Sequence, residues 1–258
     1  MDWLRSRVRS PAIWSAVIVV ILWQVGSSMN ILNPDFYGSP IGVVEAGARS
    51  VTNPDFWNDV WVSIGRELVV GYVLAVVLAV PFGIVAGWSP TLRAIFDPWL
   101  NALNSTPRIA LLPLLILWFG LGIEGKVAVV FVGVFVSVAF NTFYGVRSVD
   151  RTMLNVARSF GASRLRILMT IVAPTAVPFA LVGMRLGIGR AVVGVLVGEY
   201  FTSNAGLGNF ILRAGQALDT NRLLFGAAVM TLLALIGFAI VGLLERRVTA
   251  WRPEVGSA

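Results

Sequence analysis

Long stretches of this sequence contain no Asp, Glu, Lys or Arg, and that most constrains its fold. The uncharged windows are Ser10–Pro34, Leu68–Leu92, Ile109–Ile123, Val127–Val146, Ile167–Met184 and Leu223–Leu244. A helix needs about 20 mostly apolar residues to cross the ~30 Å hydrocarbon core of a bilayer. Four windows meet that length outright. The Ile109 window extends back through Arg108 to Asp97, and the Ile167 window continues past Arg185 and Arg190 to Gly198. Six spans result. Transmembrane β-strands are shorter and alternate in polarity, which these runs do not. Charged residues make up 13% of the 258 residues, about half the share usual in soluble proteins. The sequence therefore predicts an all-α integral membrane protein with six transmembrane helices in a single domain, residues 1–258.

The connecting segments give an orientation. One side collects Arg5, Arg7, Arg9, Arg93, Arg147, Arg151, Arg158, Arg164, Arg166, Arg246, Arg247 and Arg252, while the other has Arg49, Lys126, Arg213 and Arg222. Basic residues concentrate on the cytoplasmic side, so both termini and the loop after span four are expected there. The basic N-terminus followed by an apolar run imitates a secretory signal, but Gly26-Ser27-Ser28 offers no clear cleavage site, so an uncleaved first span is expected. The net charge of +7 fits a membrane protein with basic cytoplasmic loops, and no soluble basic region is present to bind nucleic acid.

The chain has no His and no Cys, which removes His/Cys metal centres, disulfides, Cys nucleophiles and His-dependent triads. No catalytic residue, metal ligand or cofactor site is assigned. Gly120 to Lys126 follow the spacing G-x-x-x-x-G-K of a phosphate loop, but Val127 replaces the Ser or Thr that would hold Mg²⁺, and no strand precedes it. ATP is not expected to bind there.

The longest cytoplasmic connection, Asp150 to Arg166, carries apolar residues at helical spacing at Met153, Leu154, Ala157 and Phe160, followed by Gly161. These residues alone allow either a basic amphipathic helix on the membrane surface or a docking helix for a partner. Ala157, Gly161, Ile171 and Pro174 fall on the positions of the EAA loop, and the stretch resembles that loop in the permeases of binding-protein-dependent ABC importers. Asn155 stands where the pattern has Glu, Val156 where it has its first Ala, and Ala173 where it has Leu. The resemblance extends over about residues 60–251 and narrows to the nitrate/sulfonate/taurine type. It is carried further by Ser63 to Arg66 with Gly71, Pro81 to Gly87, Pro107 to Gly120, Asn141-Thr142 with Gly145, Arg185 to Glu199, and Gly206 to Gly208. Thr106 and Ser137 stand where such permeases usually have Pro.

The resemblance implies a type I ABC importer permease fold, with a cytoplasmic coupling helix between spans four and five. It implies a permease subunit without enzymatic activity of its own in a bacterial or archaeal cell (inner) membrane. Implied partners are two ATPase subunits, a second permease copy and an extracytoplasmic substrate-binding protein. Asn155, Ala157, Arg158, Ser159, Phe160, Gly161, Ala162 and Ser163 are the implied ATPase-coupling residues. The implied solute is a small anion such as a sulfonate, taurine or nitrate, with vitamin- or pyrimidine-like compounds as the alternative.

Span five supplies candidates for the path. At ~100° per residue with Gly183 as zero, Gly194, Gly187 and Gly198 fall at about 20°, 40° and 60°, forming a small-residue stripe that lets another helix approach closely. Arg190 falls at about −20°, on the stripe, and Arg185 at about 200°, facing away. An Arg near the bilayer centre costs ~2.5–3.5 kcal/mol or more, so it must face protein or water. Arg190, Arg185, Arg108 and Glu199 are the candidates for the translocation path. The competing structural reading pairs the span-five arginines with Glu67, Glu199 or backbone carbonyls. A self-contained channel or secondary transporter is the alternative function, though the deep spans lack the acidic residues such proteins use for ion coupling.

Overall fold

The structure is a computed structural model that describes residues 2–202 and 204–248, without the side chains of residues 2–10, Ala12, Arg108 and Thr202. The side chains of Arg5, Arg7 and Arg9, and all of Trp251 and Arg252, thus lie outside the described residues. Every element among those described is helical. After α1 (Asp2–Ser28) come three short helices, α2 (Pro34–Tyr37), α3 (Pro40–Val51) and α4 (Pro54–Trp61). Each short helix has Pro at its start, where no N–H is needed, after a capping Asn33, Ser39 or Asn53 whose side chain accepts a backbone N–H of the first turn.

Helix α4 passes through a π-helical turn, Val62–Leu68, into α5 (Val69–Trp88). The turn places Ser63 and Glu67 inside the protein. Helix α6 (Pro90–Ser105) is followed by a 3₁₀ turn, Arg108–Leu111, and α7 (Leu112–Phe119). Then follow α8 (Ile123–Arg147), α9 (Arg151–Ser159), α10 (Arg164–Ile167), a second π-helical turn (Leu168–Val172) and α11 (Ala173–Thr202). Helices α12 (Leu207–Gln216) and α13 (Thr220–Val248) complete the described fold.

Among the described residues, four helical stretches are long and apolar enough to cross a membrane: Pro54–Trp88, Ile123–Arg147, Arg164–Phe201 and Thr220–Val248. The window expected as a third straight span, Asp97 to Ile123, is instead broken, with α6 and the segment Ile109–Phe119 meeting at 95°. Pro107 supplies the reason. It disfavours helical geometry at the preceding residue, and Thr106 is extended at φ −72° and ψ 133°. Counted as one broken span, this pair is the fifth. The apolar part of α1, Ile13–Ser28, is shorter than the others.

Helix α8 is the centre of the bundle, with Val130, Val134, Val138, Ala139 and Phe143 essentially inaccessible. It lies between α5 and α11 because both present small residues. On α5, Gly71, Ala75, Ala79, Gly83 and Gly87 repeat every fourth residue, and all five are buried. A Cβ on Gly83 would stand 2.7 Å from Thr142 Cβ. On α11, a Cβ on Gly183 would stand 2.9 Å from Val138 Cα. The span-five stripe is thus filled by α8 of the same chain, and packing at backbone distance replaces the hydrophobic driving force that lipid does not provide.

Candidate functional site

Arg190 sits where its helix angle placed it, on the stripe facing α8. It lines a cavity of about 400 Å³ whose walls include Thr106, Ile109, Leu112, Val129 and Val193. Among the described residues, it is the one charged group in that wall. Arg190 Nη1 donates to Ser137 Oγ, which in turn donates to the Gly133 carbonyl at 2.9 Å. A guanidinium has five N–H donors, so donors remain for whatever enters the cavity. Both positions that depart from the Pro of related permeases meet here, since Thr106 lines the cavity and Ser137 holds the arginine. A Pro at position 137 has no hydroxyl to accept that bond.

The other path candidates lie elsewhere. Arg185 faces away from the stripe, half-exposed, with Nη1 3.9 Å from Glu245 Oε2 on α13. The side chain of Arg108 lies outside the described residues, although its neighbour Ile109 borders the cavity. Glu199 is fully buried and lines no part of the cavity. Its oxygens accept from Ser63 Oγ and from the Gly208 backbone N–H. The pairing of Arg185 or Arg190 with Glu67 or Glu199 is therefore corrected: the arginines meet Glu245 and Ser137, because the two glutamates are held by nearer donors.

Those donors form a buried polar network at the end of the bundle that carries α12. Gly206 N donates to Asp59 Oδ1 and Leu207 N to Ser63 Oγ, each at 2.7 Å. With Glu199 on Gly208 N, three side chains satisfy the first backbone N–H groups of α12, which a helix cannot satisfy itself. Arg213 reaches back to Asp59 at 3.0 Å. Gly206 is at φ +118°, and a Cβ there would overlap Glu199 Oε1 at 2.2 Å. Lys126 Nζ pairs with Glu67 Oε1 at 2.9 Å, both buried. The phosphate-loop spacing thus has a structural cause. Gly120 turns at φ +81°, a Cβ on Gly125 would stand 2.2 Å from the Gly120 carbonyl, and Lys126 enters an ion pair. Asp59 and the Lys126–Glu67 pair were not singled out in the sequence, and only the apolar surroundings of each charge hinted at them.

At the opposite end, α9 forms the connection between α8 and α11. Asp150 Oδ1 caps it by accepting from Thr152 N at 2.8 Å. Leu154, Ala157 and Ala162 pack against a small core of Val146, Val149, Ile167, Val172 and Ala176. Met153, Val156 and Phe160 remain exposed, Phe160 by 87%. Gly161 N donates to Arg158 O at 2.9 Å and Ala162 N to Ala157 O at 3.1 Å, the paired bonds of a helix terminated by a left-handed residue. Gly161 supplies that residue at φ +72°. Arg158 Nη1 donates to Asn155 Oδ1 at 3.1 Å, Ser159 Oγ to the Asn155 carbonyl at 3.1 Å, and Ser163 Oγ caps α10. Asn155 is thus occupied within its own helix, where the family pattern has Glu.

Comparison with known proteins agrees with this architecture. Residues 79–250 match the family of binding-protein-dependent transport system inner membrane components. The taurine transport system permease protein of Escherichia coli (strain K12) is 31% identical, over 98% of this chain and 94% of that protein. A putative aliphatic sulfonates transport permease protein of Bacillus subtilis (strain 168) is 30% identical, over 91% of this chain and 85% of that protein. The formylaminopyrimidine transport permease protein of Halalkalibacterium halodurans is 28% identical over 92% of this chain and 94% of that protein. An inward-facing structure of the MetNI methionine ABC transporter shares the fold, with a TM-score of 0.63 at 18% identity over 74% of this chain and 94% of that one. With this family match, its multi-pass helical fold and permease relatives over nearly its whole length, the chain belongs to the binding-protein-dependent transport system inner membrane components and is the membrane-spanning permease subunit of an ABC importer, not itself an enzyme.

Proposed function

We propose that this permease carries a small anion of the sulfonate class, with Arg190 as the group that favours the anion in the path. The observation that carries this reading is a guanidinium with spare donors in the wall of a cavity that is otherwise uncharged among the described residues. The permeases for taurine and aliphatic sulfonates among its relatives support the class of solute. An extracytoplasmic binding protein delivers the solute, and two copies of this chain enclose the path. Two ATPase subunits in the cytoplasm close on ATP and act through α9 and the turn at Gly161, with residues Asn155 to Ser163 as the contact. The exposed Met153, Val156 and Phe160 support that role, since they form an apolar face that no described residue covers.

Uptake of radiolabelled taurine by cells carrying Arg190→Ala tests the path. Removing one partner of a desolvated charge pair costs about 2–5 kcal/mol, so uptake should fall at least ~30-fold while the complex still assembles. Arg190→Lys should keep part of it. Unchanged uptake by an assembled Arg190→Ala complex removes Arg190 from the path, and a failure to assemble assigns it to structure.

The orientation is tested separately. The chain has no Cys, so Ser163→Cys introduces a single thiol beside α9. That thiol should resist an impermeant maleimide added to intact cells and react once the membrane is permeabilised. Labelling from outside intact cells contradicts the cytoplasmic placement of both termini and of α9.

A further inference from the structure

Behind α9, between it and the turn joining α5 to α6, lies a cavity of about 520 Å³ that shares no lining residue with the one beside Arg190. Its wall carries three guanidiniums, Arg93, Arg158 and Arg164, beside the apolar surfaces of Trp88, Leu154 and Ile167. No carboxylate lines it among the described residues. The acids on the neighbouring segments are already engaged: Asp97 pairs with Arg147 at 2.7 Å, and Asp150 caps α9. Arg93 is held in place by Nε and Nη2, both donating to the Gly87 carbonyl at the end of α5. That fixes its plane and leaves further N–H donors for a ligand. Arg158 spends Nη1 on Asn155.

Three like charges around one cavity make it attractive to an anion. Arginine forks match the oxygens of a phosphate group in particular. We propose that this cavity is a phosphate-group site, filled by the headgroup of an anionic phospholipid or by free phosphate. Two features favour the membrane as the source. Trp88 ends a membrane-spanning helix at the cavity, where aromatic side chains mark the lipid headgroup level. Arg158 and Ala162 belong to the proposed coupling segment and also line the cavity, but the exposed Met153, Val156 and Phe160 leave α9 on another side, so an ATPase seated on those three leaves the cavity to the bilayer. A ligand there ties the α5–α6 turn to α9 and stiffens the element through which the ATPase is proposed to act. The choice of the membrane as source and that consequence both rest on the proposed docking, while the binding test does not read transport.

The test uses the purified permease–ATPase complex in neutral detergent. Native mass spectrometry counts retained phosphatidylglycerol against phosphatidylcholine of the same acyl chains, with inorganic phosphate as competitor. The wild-type complex should retain phosphatidylglycerol preferentially. The Arg158→Gln/Arg164→Gln variant should lose roughly tenfold or more of that retention, and Arg185→Gln, an exposed arginine elsewhere, should lose none. Displacement by micromolar inorganic phosphate supports the site with a soluble occupant, and resistance up to millimolar phosphate supports the lipid. Equal retention of the two lipids, or undiminished retention by the double variant, overturns the proposal. So does a wild-type complex that holds no phosphate ligand at all, as expected if an acidic side chain of the ATPase fills the cavity.

Discussion

Gly161→Val should insert into the membrane and assemble, yet lose most of its transport and most of the ATPase stimulation that loaded binding protein produces. No atom lies within 4 Å of the position a Cβ would take, so valine meets no obstacle at Gly161. It meets the backbone instead: φ is +72°, a left-handed conformation that costs an ordinary residue about 1–2 kcal/mol and is an outlier for a β-branched one. Relief comes by opening the turn, which breaks the Gly161–Arg158 and Ala162–Ala157 bonds and swings Phe160. Gly161→Asn is the discriminating control. Asparagine tolerates the left-handed region, so it should keep most of the coupling although it adds a larger side chain than alanine. If Val and Asn are equally active, the turn does not transmit the ATPase stroke. If both are equally inactive, bulk rather than backbone geometry matters there.

Lys126→Met should be the most destabilising of the substitutions considered. Glu67 is fully buried, and Lys126 is its one basic partner among the described residues. Removing the lysine strands a carboxylate inside the bundle, a change that costs about 3–5 kcal/mol. The complex should accumulate poorly and melt at a clearly lower temperature in detergent. Adding Glu67→Gln to Lys126→Met removes the stranded charge and should recover a substantial part of the loss. No recovery in the double variant, with melting measured by intrinsic tryptophan fluorescence, would count against a simple charge-pair account.

What the sequence made legible follows from the range of each signal. Hydrophobic length is local to a window, and four of the six expected spans fall on helices long and apolar enough to cross a membrane, while the window from Asp97 to Ile123 is broken and the apolar part of α1 is shorter. The angular reading of span five is local to one helix, and it separated Arg190 from Arg185 correctly. The broken span was written locally too, in Thr106-Pro107, but the apolar run around it concealed the bend. The α5 stripe from Gly71 to Gly87 repeats every fourth residue as plainly as the stripe on α11, and it passed unnoticed beside the stronger apolar signal. The polar network was not legible because its members come from three distant segments, Asp59 with Ser63, Lys126, and Glu199 with Gly206, which meet only when α4, α8, α11 and α12 are packed. Helix periodicity gives the face of a residue and not the partner across from it. For that reason Glu67 and Glu199 were offered to the wrong arginines.

As an ABC importer permease, this chain should move solute only when driven by ATP through separate subunits. The most direct test is taurine uptake into proteoliposomes holding the permease with its co-purified ATPase, with the binding protein and ATP supplied on the appropriate sides. Accumulation should require all three, and vesicles holding the permease alone should take up nothing above protein-free controls. Uptake by the permease alone, down a taurine or ion gradient and without ATP, would contradict the account and make the chain a self-contained channel or secondary transporter.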